Sequence, residues 1–166
     1  MVTILVNIRS LHNVGSIFRT ADAAGIEKIY LTGYTPTPVD KFGSQRSQLS
    51  KVALGAQNSI PWEYSNSATS LIDRLKKEGF KILAVEQSKQ SRPYNEVKLT
   101  KKELVKSVLV MGNEVKGLSL AILNRADQIL EIPMYGKKES LNVSVAFGIV
   151  TYGLIVSPSK GESIQL

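Results

Sequence analysis

Residues 2–25 read VTILVNIRSLHNVGSIFRTADAAG, and the change of period inside this stretch decides the fold class. Val2 to Ile8 is a short apolar run suited to a buried strand, closing on Asn7, Arg9 and Ser10, the polar residues expected at a strand's carboxyl end. Val14, Ile17, Phe18, Ala21 and Ala24 then recur at helical spacing, with Asn13 as a candidate N-cap and Gly25 as the stop. A strand feeding directly into a helix is the repeating unit of a parallel α/β sheet.

The alternation continues along the chain. Strands are expected at Lys28 to Thr32, Phe80 to Val85, Ser107 to Met111 and Gln128 to Ile132, and helices at Ser67 to Glu78 and Leu118 to Asn124. Residues 33–49 carry Pro36, Pro38 and Gly43 with Lys41 and Arg46 and show no period, so a long basic loop is expected there. Residues 91–100 read as a second loop around Pro93. Val143 to Val156 is apolar nearly all round, which favours a buried helix; the run falls short of the ~20 residues needed to span a bilayer. The expectation is one α/β domain over residues 1–156, a mostly parallel sheet flanked by helices, with a tail at 157–166 that is expected to be disordered.

Composition narrows the chemistry. A net charge of +7 and a pI near 9.6 favour a polyanionic partner such as RNA. There is no cysteine, and one histidine, His12, cannot build a metal site alone, so no metal is expected. Met1 to Ile8 lacks the basic and long apolar regions of a signal peptide, so the expected location is cytoplasmic, with no membrane partner. No two glycines stand at i, i+2, which excludes the G-x-G-x-x-G turn of dinucleotide folds. Residues 112–119, GNEVKGLS, have the spacing of a phosphate loop, yet Leu118 stands where its lysine should be and Glu114 would put negative charge inside the cradle. A Ser-His-Asp hydrolase would have only His12 as its base, and no G-x-S-x-G elbow accompanies it.

Three strand-end segments remain. Arg19, five residues after Val14, points about 140° from that apolar position and so off the core face; it can reach an anion near the helix N-terminus or simply pair with Asp22 or Glu27. Asn113 and Glu114 follow a buried strand directly, where a carboxylate serves either a site or the start of the next helix. Ser140 and Asn142 can cap the apolar helix, while Ile132, Met134 and Leu141 offer flat apolar walls to an adenine.

In order, type and spacing, the three segments 7–22 (NIRSLHNVGSIFRTAD), 111–119 (MGNEVKGLS) and 132–146 (IPMYGKKESLNVSVA) closely resemble the three motifs of the SPOUT superfamily, SpoU/TrmH branch. The resemblance covers residues 7 to about 156, although 33–105 carry no recognisable motif. It implies an enzyme that uses S-adenosyl-L-methionine (AdoMet) to methylate a ribose 2'-hydroxyl in tRNA or rRNA, a deep C-terminal trefoil knot, and a homodimer with sites drawn from both subunits. By matching position it implies catalytic roles for Arg19, Asn13, Glu114, Ser140 and Asn142. Gly112, Ile132, Met134 and Leu141 would line the AdoMet pocket, with Val85, Glu86 and Gln87 at the adjoining strand end. Arg9, Lys41, Arg46, Lys137 and Lys138 are the expected contacts to RNA. Many relatives carry an additional RNA-binding domain, for which these 166 residues leave no room. The alternatives are an RNA-binding or assembly protein that keeps the fold without turnover, or a methyltransferase acting on a base or on protein.

Overall fold

The computed structural model describes residues 1–156; the tail at 157–166 lies outside the described residues. Seven strands form one sheet: β1 (Val2–Val6), β2 (Lys28–Thr32), β3 (Trp62–Ser65), β4 (Lys81–Val85), β5 (Arg92–Pro93), β6 (Ser107–Met111) and β7 (Gln128–Glu131). Their order is β3-β2-β1-β6-β4-β7-β5, and all neighbours are parallel. β1 and β6 are buried along their whole length, which is why each reads as a continuous apolar run rather than an alternating one.

Side chains on these strands alternate between two cores. Leu5, Ile29, Leu31, Leu83, Leu109 and Leu130 pack on one face under α1 (Leu11–Ala23), α2 (Ser47–Ala53) and α7 (Val143–Val156), around Phe18, Leu49 and Phe147. Ile4, Tyr30, Ile82, Val108 and Val110 pack on the other face under α4 (Ala68–Lys77) and α6 (Leu120–Leu123), around Ile72, Leu75 and Ile122. Sheet order reverses direction around β1 and β6, and in open parallel sheets the crevice at such a point, beyond the carboxyl ends, is where ligands bind.

Several expectations are corrected. Asn13 is not the cap of α1. Ser10 is, its hydroxyl accepting from the Asn13 backbone N–H at 3.2 Å, so the helix begins three residues earlier and Asn13 lies inside its first turn with a buried side chain. The span 33–49 is not uniformly a loop: Val39 bridges Gln45 and α2 starts at Ser47, anchored by the buried Leu49. α2, the short α3 (Ala56–Ser59) and the edge strand β3 were not legible because each has only one or two buried residues per turn or none. The 91–100 segment contains β5 and a 3-10 turn at Tyr94–Glu96, and a short helix α5 (Lys101–Val105) follows it, opened by a capping box between Thr100 and Glu103. α7 is not buried all round. Val143, Phe147, Val150 and Leu154 face the core, but Val145, Tyr152 and Val156 are 50%, 44% and 66% exposed.

Candidate active site

Beyond the carboxyl ends of β4, β6 and β7 lies a cleft of about 350 Å³, within the size range of small-molecule sites. Val85, Glu86, Gln87, Gly112, Ile132, Met134 and Leu141, which come from three separate loops, all line it, and so do Glu114 and Ser140. The walls are apolar at Val85, Met111, Ile132, Met134, Leu141, Val143 and Ala146. The charged groups are unbalanced in an otherwise basic protein: Glu86, Glu114, Glu131 and Glu139 against Lys116 alone. A cleft of that sign disfavours a polyphosphate cofactor and suits a cationic one.

The loops are tied to one another by side chains acting on backbone. Glu86 accepts from the Leu118 N–H at 2.7 Å and from the Gln87 N–H at 3.0 Å, fastening the end of β4 to the turn after β6. Gln87 Nε2 donates to the Glu139 carbonyl at 2.7 Å, drawing the 132–142 segment over the same strand end. Asn113 Oδ1 accepts from the Val115 and Lys116 N–H groups at 2.9 and 2.8 Å, which folds residues 113–117 into a closed turn. Its Nδ2 donates to the Asn7 carbonyl at 2.8 Å and to the Tyr34 hydroxyl at 2.9 Å. Asn7 itself sits in the left-handed region at φ 57, unusual for a residue other than glycine and typical of site-forming loops.

A second chain of contacts joins all three motif segments. Asn142 Nδ2 donates to Asn13 Oδ1 at 3.1 Å, and Asn13 Nδ2 donates to Glu114 Oε1 at 2.8 Å. The other Glu114 oxygen has only a 3.5 Å contact with the Arg9 N–H. Asn142 Oδ1 accepts from the Ser144 N–H at 2.9 Å, so Asn142 caps α7 while its amide nitrogen reaches Asn13.

Arg19 is placed apart. It is exposed on α1, is not among the residues lining the cleft, and has no hydrogen bond or ion pair among the described residues. It does not pair with Glu27, whose carboxylate instead holds the Met1 ammonium at 2.8 Å. Arg9, Lys41, Lys137 and Lys138 are exposed, with the Lys41 ammonium 4.9 Å from the Phe42 ring centroid. Arg46 is half-buried, and its Nε has no hydrogen-bond partner, so it is less free than an open surface cation. The sequence missed Tyr34, Asn113 as a bridge, and Lys116; an aromatic just past a strand end beside two glycine-bounded turns is the signal that was available.

Shifted ionisations lie away from the cleft. Glu63 is held below the usual carboxylate range, chiefly by its hydrogen bond from Lys28 and then by one from Arg74; Lys28 and Arg74 are raised by the same contacts. Glu103 is lowered by the Thr100 backbone and hydroxyl. No cluster of three or more His, Asp or Glu suited to a metal is found among the described residues. No helix among them is long and apolar enough to cross a membrane.

Residues 1–152 match the model of the SpoU rRNA methylase family. A tRNA (guanosine(18)-2'-O)-methyltransferase of Aquifex aeolicus is 37% identical over 150 residues, 88% of this chain and 64% of that protein. Among solved structures, the A. aeolicus TrmH/SpoU tRNA modifying enzyme superposes with a TM-score of 0.77 at 34% identity, over 92% of this chain and 72% of that one. An AdoMet-bound rRNA methyltransferase from Sinorhizobium meliloti superposes with a TM-score of 0.77 at 29% identity, over 91% and 54%. The chain spans between about half and two thirds of the length of the curated relatives it matches. With the parallel seven-stranded sheet, the three-loop cleft and this match over nearly the whole described chain in agreement, the protein belongs to the SpoU rRNA methylase family.

Proposed function

We propose that this chain is an AdoMet-dependent RNA methyltransferase acting on a ribose 2'-hydroxyl of tRNA or rRNA in the cytoplasm, as a homodimer whose C-terminal part forms a deep trefoil knot. The observation that carries the reading is the convergence of all seven expected cofactor residues on one acid-rich cleft, bordered by the Asn142–Asn13–Glu114 chain. The curated relatives bear names of tRNA and rRNA 2'-O-methyltransferases, which supports the substrate class.

The residues present fit the cofactor. Ile132, Met134 and Leu141 offer apolar surface of the kind an adenine stacks on, and the surplus of carboxylates suits a ligand bearing a sulfonium and an ammonium. When bound, AdoMet supplies an electrophilic methyl group. The chain's part is positioning, which can provide much of the acceleration of a displacement that must proceed in line. Asn13 fixes one oxygen of Glu114, and the other, held only by the 3.5 Å contact with the Arg9 N–H, keeps the capacity to accept from a substrate hydroxyl. Ser140, exposed on the rim of the cleft, adds a further hydroxyl. Arg19 orients the ribose phosphate and stabilises developing alkoxide charge; a guanidinium stays protonated and does not act as the base.

Two features support the homodimer. Val145, Tyr152 and Val156 leave an apolar stripe on α7 exposed among the described residues, and Arg19 lies outside the cleft of its own chain, free to serve another. For the knot, support comes from the path of residues 132–142 past Gln87 and on to α7, whose Gly153 packs so closely on Tyr94 that a Cβ would collide with that ring. The test is titration of AdoMet by calorimetry, then transfer of labelled methyl to total RNA and digestion to nucleosides. Methyl on a ribose is expected. Binding without transfer, or methyl on a base, overturns the reading.

A further inference from the structure

Next to the cofactor cleft is a second hollow, lined by Arg9, Tyr34, Asn113, Val115 and Lys116. Asn113, Val115 and Lys116 line both, so the two flank the same turn, the one that carries Glu114. The hollow has two cations and no carboxylate, opposite in sign to the cleft beside it. A ligand spanning both would be anionic at one end and would meet the cofactor at the other.

Tyr34 stands in this hollow as a fixed, open ring. Its backbone N–H donates to Asn7 Oδ1 at 3.3 Å, and its hydroxyl accepts from Asn113 Nδ2 at 2.9 Å, so both ends of the residue are tied to motif segments. It nonetheless remains 55% exposed. Tyr64, 44% exposed, donates its hydroxyl to the Gly33 carbonyl at 2.7 Å and so braces the residue that precedes Tyr34. An immobilised ring sharing a hollow with cations is the arrangement on which unpaired bases stack while their phosphates are held. A duplex, whose bases are already stacked, has no face to offer it.

We propose that Tyr34 is a stacking platform for an unpaired base of the substrate RNA, with Arg9 and Lys116 holding the flanking phosphates, so that the enzyme takes its target from a single-stranded loop. The proposal rests on the reading of the cleft as a methyltransferase site, and it adds a positioning residue that the three motifs do not contain.

The probe is a single-stranded RNA decamer with a central 2-aminopurine, whose fluorescence is quenched on stacking. The native protein is expected to quench it, and Tyr34→Leu to lose the quench and bind the decamer roughly ten- to a hundredfold more weakly, the range reported for one stacked base. Tyr34→Phe discriminates stacking from scaffolding: it keeps the ring and removes the hydroxyl. Quench and affinity retained in Tyr34→Phe but lost in Tyr34→Leu establish the platform; equal loss in both, or no loss in either, overturns it. Arg9→Gln should lower the slope of log affinity against log salt by about 0.7 for the phosphate it holds, and an unchanged slope rejects that contact. AdoMet calorimetry on the native protein separates the readings: failure there removes the methyltransferase assignment, whereas intact AdoMet binding with a Tyr34-independent decamer removes the platform alone.

Discussion

Asn13 and Asn142, 129 residues apart, meet through a 3.1 Å hydrogen bond from Asn142 Nδ2 to Asn13 Oδ1, and the same Asn13 side chain donates at 2.8 Å to Glu114. One amide therefore couples the first turn of α1, the turn after β6 and the start of α7. Its position in the first turn of α1, held by the Ser10 cap, keeps it buried and oriented.

Replacing Asn13 by Ala strands a carboxylate and an amide together. We expect a stability loss of about 1–3 kcal/mol, the cost of leaving such groups unpaired, and a larger fall in methyl transfer than in AdoMet affinity. Urea denaturation and single-turnover transfer measure the two effects. A variant with native stability and native rate rejects the coupling role.

Arg19→Ala should abolish methyl transfer while leaving AdoMet binding nearly intact, because Arg19 does not line the cleft of its own chain. If it serves the partner's site, mixing this variant with a cofactor-dead chain should restore activity to about a quarter of native, since half of randomly paired dimers then carry one complete site of two. Calorimetry showing lost AdoMet affinity, or a mixture as inactive as its components, defeats the assignment.

What was legible in the sequence was what a short period encodes. β1 and β6 are fully buried and α1 has a single apolar stripe, so local pattern and fold agree. Arg19 could be placed off the core from helical angle alone. Asn13 could not be read correctly, because its preference for caps is a local property while its role depends on partners 101 and 129 residues away. α7 misled for the opposite reason: an all-apolar helix is the same string whether it is covered by its own chain or by another.

That uncovered face gives a direct test. Tyr152→Glu places a charge in the middle of the Val145 to Val156 stripe, 44% exposed in the single chain and so cheap there, but costly inside an apolar interface. Analytical ultracentrifugation should show the native chain as a dimer and the variant as a folded monomer. A native monomer, or an unaffected dimer, excludes α7 as the interface.

The Glu63 cluster predicts a pH response away from the site. Its carboxyl is lowered by Lys28 first and Arg74 second, so the folded state binds fewer protons than the unfolded one. The resulting stability is present above the ordinary glutamate range and fades as pH falls through the lowered value. Glu63 is 38% exposed, so solvent screening keeps the effect to about 0.5 kcal/mol. Glu63→Gln should be less stable than native at pH 7 and converge with it as pH falls through the lowered value; parallel curves contradict the cause given.

Gly117 and Gly25 both occupy left-handed backbone, at φ 62 and 69, but differ in what surrounds them. A Cβ on Gly25 meets nothing within 4 Å, whereas one on Gly117 collides with Glu86 Oε2, the oxygen that accepts from the Leu118 N–H. Gly25→Ala therefore carries conformational strain alone, about 1 kcal/mol, with AdoMet affinity unchanged. Gly117→Ala carries the same strain and also displaces a carboxylate that ties β4 to the turn after β6, so a further loss of about 1–3 kcal/mol follows. Because Glu86 and Gly117 both line the cleft, only the second variant should weaken AdoMet binding. Thermal denaturation and calorimetry on the pair test this, and equal behaviour of the two glycines would show that the tie from Glu86 to the turn after β6 does not support the cleft.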